Sequence, residues 1–271
     1  MKSYDEMRKS RVLRKINDGG VAFCTKMNLS DPRAFEIAAA SGFDCLWTCQ
    51  EHIGTDYHTL ETQILATKGY DCDLLCRVPK GSYSDFIRPL EMDATGIMIP
   101  HVMSLKEAVG IVKTTRFYPQ GRRPLDGGNA DGNFCRVPMK DYLEQSNRER
   151  FVVLQIEDPE PLAELDAIAE LPGYNMLFFG PGDFSHSIGD PGNFNNPQVI
   201  EARKQIAKIA NKHGKIAGTV GSLDNYRELV DCGYRFISIA ADVCILSAAY
   251  DDIVRGVAGT AGKTHKSIYG K

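Results

Sequence analysis

The stretch Val152–Ser185, VVLQIEDPEPLAELDAIAELPGYNMLFFGPGDFS, decides the fold. It reads as strand, helix, strand, with a carboxylate closing each strand. VVLQIE is a short apolar run that stops at Glu157, and MLFFGPGD is another that stops at Asp183 after Gly-Pro-Gly. Between them Leu162, Leu165, Ile168 and Leu171 recur every three residues, the apolar stripe of an amphipathic helix. A strand–helix–strand unit this short makes the strands parallel, with their C-terminal ends on one side of the sheet. Glu157 and Asp183 are therefore expected together at the mouth of an α/β fold, where such folds build their sites. Paired carboxylates are oxygen ligands suited to Mg²⁺ or Mn²⁺. The glycines around Pro181 leave backbone N–H groups open to an anionic substrate. Taken singly, Glu157 reads as a helix cap and Asp183 as a turn residue; it is the matched strand ends that favour a shared site.

Working outward, eight apolar runs have the length of strands. They are Val21–Met27, Phe43–Cys49, Asp73–Val78 and Gly96–Val102, then FVVLQIE, NMLFFG, Lys215–Gly221 and Phe236–Ala241. Helical patterns separate them, beginning near Pro32, Asp56, Ser82, Ser104, Pro159, Pro197 and Ser222, all residue types that start helices. A last helix follows Asp242, and another precedes the first strand. Eight β/α repeats in one domain give an α/β fold of the (β/α)8 TIM-barrel kind, with a core over about residues 20–258 and a polar tail over 259–271. The alternative, an open doubly wound sheet, needs a glycine-rich turn after the first strand, and Met27-Asn28-Leu29-Ser30 is not one. The connection Arg116–Val137 is long, glycine-rich and without periodicity. Disorder is the plain reading; Arg122, Arg123, Phe117, Tyr118 and Phe134 favour an ordered lid or subunit contact.

Composition narrows the class. The chain has 271 residues, 43% hydrophobic and 25% charged, as in an ordinary globular protein. A net charge of −3 argues against nucleic-acid or anionic-membrane surfaces. No apolar run has the ~20 residues that cross a bilayer, and the charged N-terminus lacks a signal core. The eight cysteines form no C-x-x-C pair, so buried, reduced thiols in a cytoplasmic protein are expected.

Other strand ends carry chemistry. Cys49-Gln50-Glu51-His52 follows the second strand, Arg77 ends the third, and Pro100-His101 the fourth. A guanidinium holds carboxylates or developing oxyanions through paired hydrogen bonds. A histidine titrates in the range for proton transfer. The plainer alternatives are a turn role for His52 and an ion pair of Arg77 with Glu51 or Asp73.

Taken together, these motifs resemble the HpcH/HpaI aldolase family, the class II pyruvate aldolases, over about Gly20–Ala258. The marks are SGFDCLWTCQEH, CRVP, IMIPHV, TRFYPQGRR, LQIEDPEPL and FFGPGDFSHSIGDPG. The resemblance implies a divalent metal, Mg²⁺ or Mn²⁺, held by Glu157 and Asp183. It implies cleavage of a 4-hydroxy-2-oxo acid to pyruvate and an aldehyde, or the reverse, through an enolate. Arg77 would contact the keto oxygen and His52 would be the acid/base. The backbone at Gly182 and Asp183 would take the carboxylate, and Gln155 would line the pocket. It also implies a homo-hexamer, a dimer of trimers, with the last helix exchanged and Glu91 contributed to a neighbour's site. The chain departs from the family in carrying Cys49 where an Asp normally pairs with the histidine, and in His101, a possible replacement acid/base. The stretch after TRFYPQGRR, where the aldehyde end would be read, also differs. Two alternatives stay open: altered 2-oxo-acid chemistry such as oxaloacetate decarboxylation, and a non-catalytic 2-oxo-acid or metal-binding barrel.

Overall fold

Parallel strands buried on both faces read as near-continuous apolar runs, and all eight runs form strands. In the computed structural model, which describes residues 5–258, these are β1 (Ala22–Lys26), β2 (Cys45–Cys49), β3 (Asp73–Arg77) and β4 (Gly96–Ile99), then β5 (Phe151–Ile156), β6 (Met176–Phe179), β7 (Ile216–Gly221) and β8 (Phe236–Ala241). Each pairs in parallel with its sequence neighbours, and β8 returns to β1, closing the barrel. Closure removes the open doubly wound sheet from consideration. The helices are α1 (Arg11–Asn17), α2 (Pro32–Ala40), α3 (Tyr57–Lys68), α4 (Tyr83–Glu91) and α5 (Leu105–Thr115). They continue with α6 (Met139–Glu149), α7 (Leu165–Glu170), α8 (Pro181–Ser187), α9 (Pro197–Lys212), α10 (Tyr226–Asp231) and α11 (Asp242–Ala258). Four of the expected starts carry side-chain caps: Asp31, Asp56, Ser104 and Asn196 accept from the N–H groups of Arg33, Thr59, Glu107 and Gln198.

Side chains alternate across the barrel wall. One set, including Leu46, Leu74, Ile97, Leu154, Leu177 and Ile237, packs outward on the helices. The other fills the interior with Cys24, Trp47, Leu75, Met98, Val153, Phe178 and Phe236. Trp47 and Phe236 both meet Phe178 edge-on, at 5.7 and 6.2 Å between ring centroids. Such contacts add about 0.5–1.5 kcal/mol each beyond area burial. The interior is therefore a packed plug, with working side chains only in the layer above it. At the opposite end α1 closes the barrel: Val12 packs on the interior cluster, and Ser10 Oγ and the Val12 amide donate to Asp73 Oδ2 at 2.6 and 2.9 Å.

Three expectations change. The apolar stripe after β5 is a 3-10 turn, Glu160–Glu164, followed by the short α7. Strand β6 stops at Phe179, and Gly-Pro-Gly opens α8 with proline in its first turn. Asp183 is thus a first-turn helix residue, not a strand end. The 116–137 connection is ordered but is no lid on its own barrel. Arg116 is buried against Gly173 O, Arg150 O and Asn175 Oδ1, which precede β5 and β6 at the end away from the mouth. Arg123 is buried against Asp131 and Tyr142 there.

Helix α11 has no buried residue; Val243, Ile245, Leu246, Tyr250, Ile253, Val254 and Val257 are exposed along it. Among the described residues no helix is long and apolar enough to cross a membrane. The 259–271 tail lies outside the described residues.

Candidate metal and 2-oxo-acid site

The pleat decides which groups face the mouth. Lys26, Cys49, Arg77 and Gln155 share the inward parity of Cys24, Trp47, Leu75 and Val153 and sit one step nearer the C-terminal ends of their strands. Register aligns Cys49 with Arg77 on the neighbouring strand. The next residues after the strands complete the site: Glu51 after β2, His101 after β4, and Glu157 and Asp158 after β5.

Glu157 is its centre. The carboxylate is 1% exposed. Oε1 accepts the His101 amide at 3.0 Å, and Oε2 accepts from Gln155 Nε2. The first contact needs His101 in the left-handed region, at φ 47°, a conformation histidine tolerates better than most residues and one that clusters at functional sites. The second side is open only because residue 180 is glycine. A Cβ there would lie 2.5 Å from Glu157 Oε2. Burial pushes the Glu157 carboxyl up to about 7, with the Asp183 charge adding to the rise and His101 and Arg77 opposing it.

Asp183, half-buried in the first turn of α8, completes a cluster with Glu157 and His101 whose ligand atoms all lie within 4.8 Å of one another. First-turn amides have no intrahelical acceptor, and the space over Gly182 is open. Buried Gln155 Oε1 has no hydrogen-bond partner among the described residues. Two carboxylates, an imidazole and an orphaned buried oxygen fit a hard divalent cation better than the bare site fits itself. Glu157 and Asp183 would hold the cation, with the His101 ring beside it.

Arg77 is nearly fully buried, and its guanidinium lies over the Trp47 ring, 4.9 Å from the centroid. Its Nε–H is directed at Cys49 Sγ, 3.3 Å away. Nε is also 2.9 Å from Glu51 Oε2, a charge contact and not an aligned hydrogen bond, since Oε2 receives none. The ion pair with Glu51 read from sequence thus exists, inside the site. Cys49 Sγ accepts a second N–H, from the His52 backbone at 3.4 Å. The thiol therefore keeps the acceptor position of a carboxylate without its charge.

The two histidines differ. His52 is at the rim, its side chain 56% exposed and Nε2 3.4 Å from Glu51 Oε2. His101 is closer in. Nδ1 is 2.8 Å from Asp158 Oδ2, which leaves Nε2 facing Glu157 Oε1 at 3.7 Å and Glu51 Oε1 at 4.0 Å. Burial alone would lower the His101 pKa. The hydrogen bond to Asp158 and the charges of Glu157, Asp158 and Glu51 together raise it. Glu91 lies elsewhere, at the far end of α4, under the fields of Arg123, Asp131 and Asp126. It is not part of this barrel's own mouth.

Sequence reading missed Asp158, Trp47 and Lys26. Asp158 adjoins Glu157 and had a signal only through the left-handed turn at His101. Lys26 is the one basic residue inside an otherwise uncharged strand, AFCTK, and its parity with Cys24 was legible.

The sequence profile of the family HpcH/HpaI aldolase/citrate lyase matches residues 27–249. A 5-keto-4-deoxy-D-glucarate aldolase of Enterobacter sp. (strain 638) is 32% identical over 222 residues, 82% of this chain and 86% of the relative. Among solved structures, an HpcH/HpaI aldolase/citrate lyase family protein from Burkholderia cenocepacia J2315 superposes with a TM-score of 0.85 at 26% identity. It covers 93% of this chain and 100% of that one. The citrate synthase SbnG superposes with a TM-score of 0.81 at 27% identity, over 93% and 96% of the two chains.

The raised Glu157 pKa has a measurable sign. The folded chain holds this proton more tightly than the unfolded chain, whose glutamate titrates near 4.5. The associated stability is present below 4.5 and is lost as pH rises through about 7. Cation-free protein should therefore melt lower at pH 8 than at pH 5.5, and Glu157→Gln should flatten that difference. Added Mg²⁺ should restore wild type at pH 8 and do little at pH 5.5. Differential scanning calorimetry reads all three; identical pH profiles for wild type and Glu157→Gln would refute the assignment.

Proposed function

The chain belongs to the HpcH/HpaI aldolase/citrate lyase family, carbon–carbon lyases of the class II aldolase type, and we propose that it cleaves a 4-hydroxy-2-oxo acid to pyruvate and an aldehyde, or runs the reverse. The observation that carries this reading is the buried Glu157 carboxylate, set beside Asp183 and facing Arg77 and the His101–Asp158 pair. Mg²⁺ or Mn²⁺ held by the two carboxylates supplies Lewis acidity toward the 2-oxo group. The chain's own residues do the rest. First-turn amides at Gly182 and Asp183 receive the substrate carboxylate. Arg77, clamped by Cys49 and Glu51, turns its remaining N–H groups toward the charge that develops on the 2-oxo oxygen. His101 Nε2, with Asp158 fixing the tautomer through Nδ1, takes the proton of the 4-hydroxyl as the C3–C4 bond breaks. The O–H electron pair becomes the C=O of the aldehyde, the C3–C4 pair passes to C3 and the 2-oxo group as an enolate, and return of the proton to C3 gives the pyruvate methyl. His52, at the rim on Glu51, exchanges protons with solvent.

A second reading, turnover of a different 2-oxo acid such as oxaloacetate, is favoured by Cys49, because an uncharged acceptor stabilises an imidazolium less than a carboxylate does. One assay separates the readings. Pyruvate release is followed from a panel of 4-hydroxy-2-oxo acids and from oxaloacetate, with Mg²⁺, with Mn²⁺ and with chelator. Aldol cleavage that needs the cation and is abolished in Glu157→Ala and Asp183→Ala supports the proposal. His101→Ala should lower kcat by about 10²–10⁴-fold and His52→Ala by less. Turnover of oxaloacetate alone supports the second reading, and no turnover at all leaves a binding barrel.

We further propose a homo-oligomer, a hexamer as in the family resemblance, with α11 docked on a neighbour. Its apolar face supports this. Multi-angle light scattering at micromolar concentration should give several times the 30.0 kDa of one chain; a monomer would refute this.

A further inference from the structure

Lys26 is a buried cation with no ion-pair partner among the described residues. It ends β1, is 9% exposed, and points into the barrel. No hydrogen bond or ion pair to any described residue satisfies its ammonium, which lies over the Trp47 ring, 5.3 Å from Nζ to the centroid. Arg77 lies over the same ring, so two positive groups share one indole. The charges of Glu51 and Asp183 reach Lys26 and only partly offset burial and the repulsion from Arg77.

A second orphan sits beside it. The buried indole Nε1 of Trp47 has no acceptor among the described residues. Lys26 and Trp47 line a cavity of about 10 Å³ with Val220, Gly221, Ser238 and Ala240, room for roughly one oxygen atom. The backbone is shaped for it. Opposite Lys26, β8 carries an extra residue, Ala240, in the left-handed region at φ 61°, where the register with β1 shifts. This cavity lies at the ends of β1, β2, β7 and β8, whereas His101, Glu157 and Asp183 follow β4, β5 and β6. The mouth thus has an acidic half that suits a cation and a cationic half that suits an anion.

We propose that Lys26, with the Trp47 indole N–H, binds a second anionic group of the substrate, a carboxylate remote from the one held near Asp183. The inference rests on the 2-oxo-acid reading above and narrows it to 2-oxo acids with two acidic ends. An oxygen of that carboxylate gives the ammonium its missing acceptor and neutralises the charge facing Arg77. A monoanionic substrate leaves both donors unsatisfied.

Trp47 is the only tryptophan of the chain, so its emission reports occupancy of this cavity whether or not turnover occurs. Mg²⁺-loaded protein is titrated with two matched pairs, 2-oxoglutarate against 2-oxopentanoate and 2-oxoadipate against 2-oxohexanoate. Wild type should bind the diacid of at least one pair tighter by roughly 10- to 100-fold, the value of a hydrogen bond to a charged group. Lys26→Met, of similar volume and uncharged, should bring that ratio to about one, and Lys26→Arg should restore part of it. Equal binding within both pairs, or a preference that survives in Lys26→Met, overturns the proposal and leaves the 2-oxo-acid reading standing. Failure of all four acids to bind overturns both.

Discussion

Taking the Glu157 carboxylate out of water is the constraint on which the rest of the site depends. An ionised carboxylate at 1% exposure costs several kcal/mol unless charge and hydrogen bonds compensate. The chain supplies compensation piece by piece. Gly180 gives the oxygen room, the left-handed turn at His101 aims an amide at it, and Gln155 approaches from the same strand. The compensation is incomplete, because the carboxyl is still raised to about 7. A cation completes it, and the surrounding donor set is the one a hard divalent ion takes.

Positive charge at the mouth is arranged with the same economy of positions. Arg77 cannot swing, since Trp47 covers one face and Cys49 and Glu51 hold Nε. A fixed guanidinium costs no reorganisation when charge develops nearby. Cys49 keeps this clamp while removing a negative charge from beside His52. The balance of negative charge shifts instead toward His101, which gathers Asp158, Glu157 and Glu51 around one ring. The histidine most closely flanked by carboxylates thus follows β4, two strands over from His52 after β2, where the family resemblance places the acid/base.

Much of this was legible in the sequence, and the exceptions have physical causes. Strand identity came through because parallel strands are apolar on both faces; each of the eight runs contains a strand. Glu157 and Arg77 were legible because they end such runs. Asp183 lies beside Glu157 as expected but on a different element: proline and glycine read as a break, whereas proline at a first helical position opens α8. The 116–137 loop looked like a lid because composition gives no direction. Only the carbonyls that Arg116 meets place it at the closed end. His101 was legible as a residue and illegible as a conformation, since its role depends on a positive φ that nothing local demands. Lys26 is plain in the sequence, but its lack of a partner is a tertiary fact.

The central claim is that the ends of β5 and β6 form a divalent-cation site. Anomalous scattering from crystals grown with Mn²⁺ tests it most directly. One strong peak is expected at direct ligand distance from both the Glu157 and Asp183 carboxylates, lost in Glu157→Gln. A peak bound elsewhere in the chain, or none at this pair with Mn²⁺ present at saturating concentration, would contradict it.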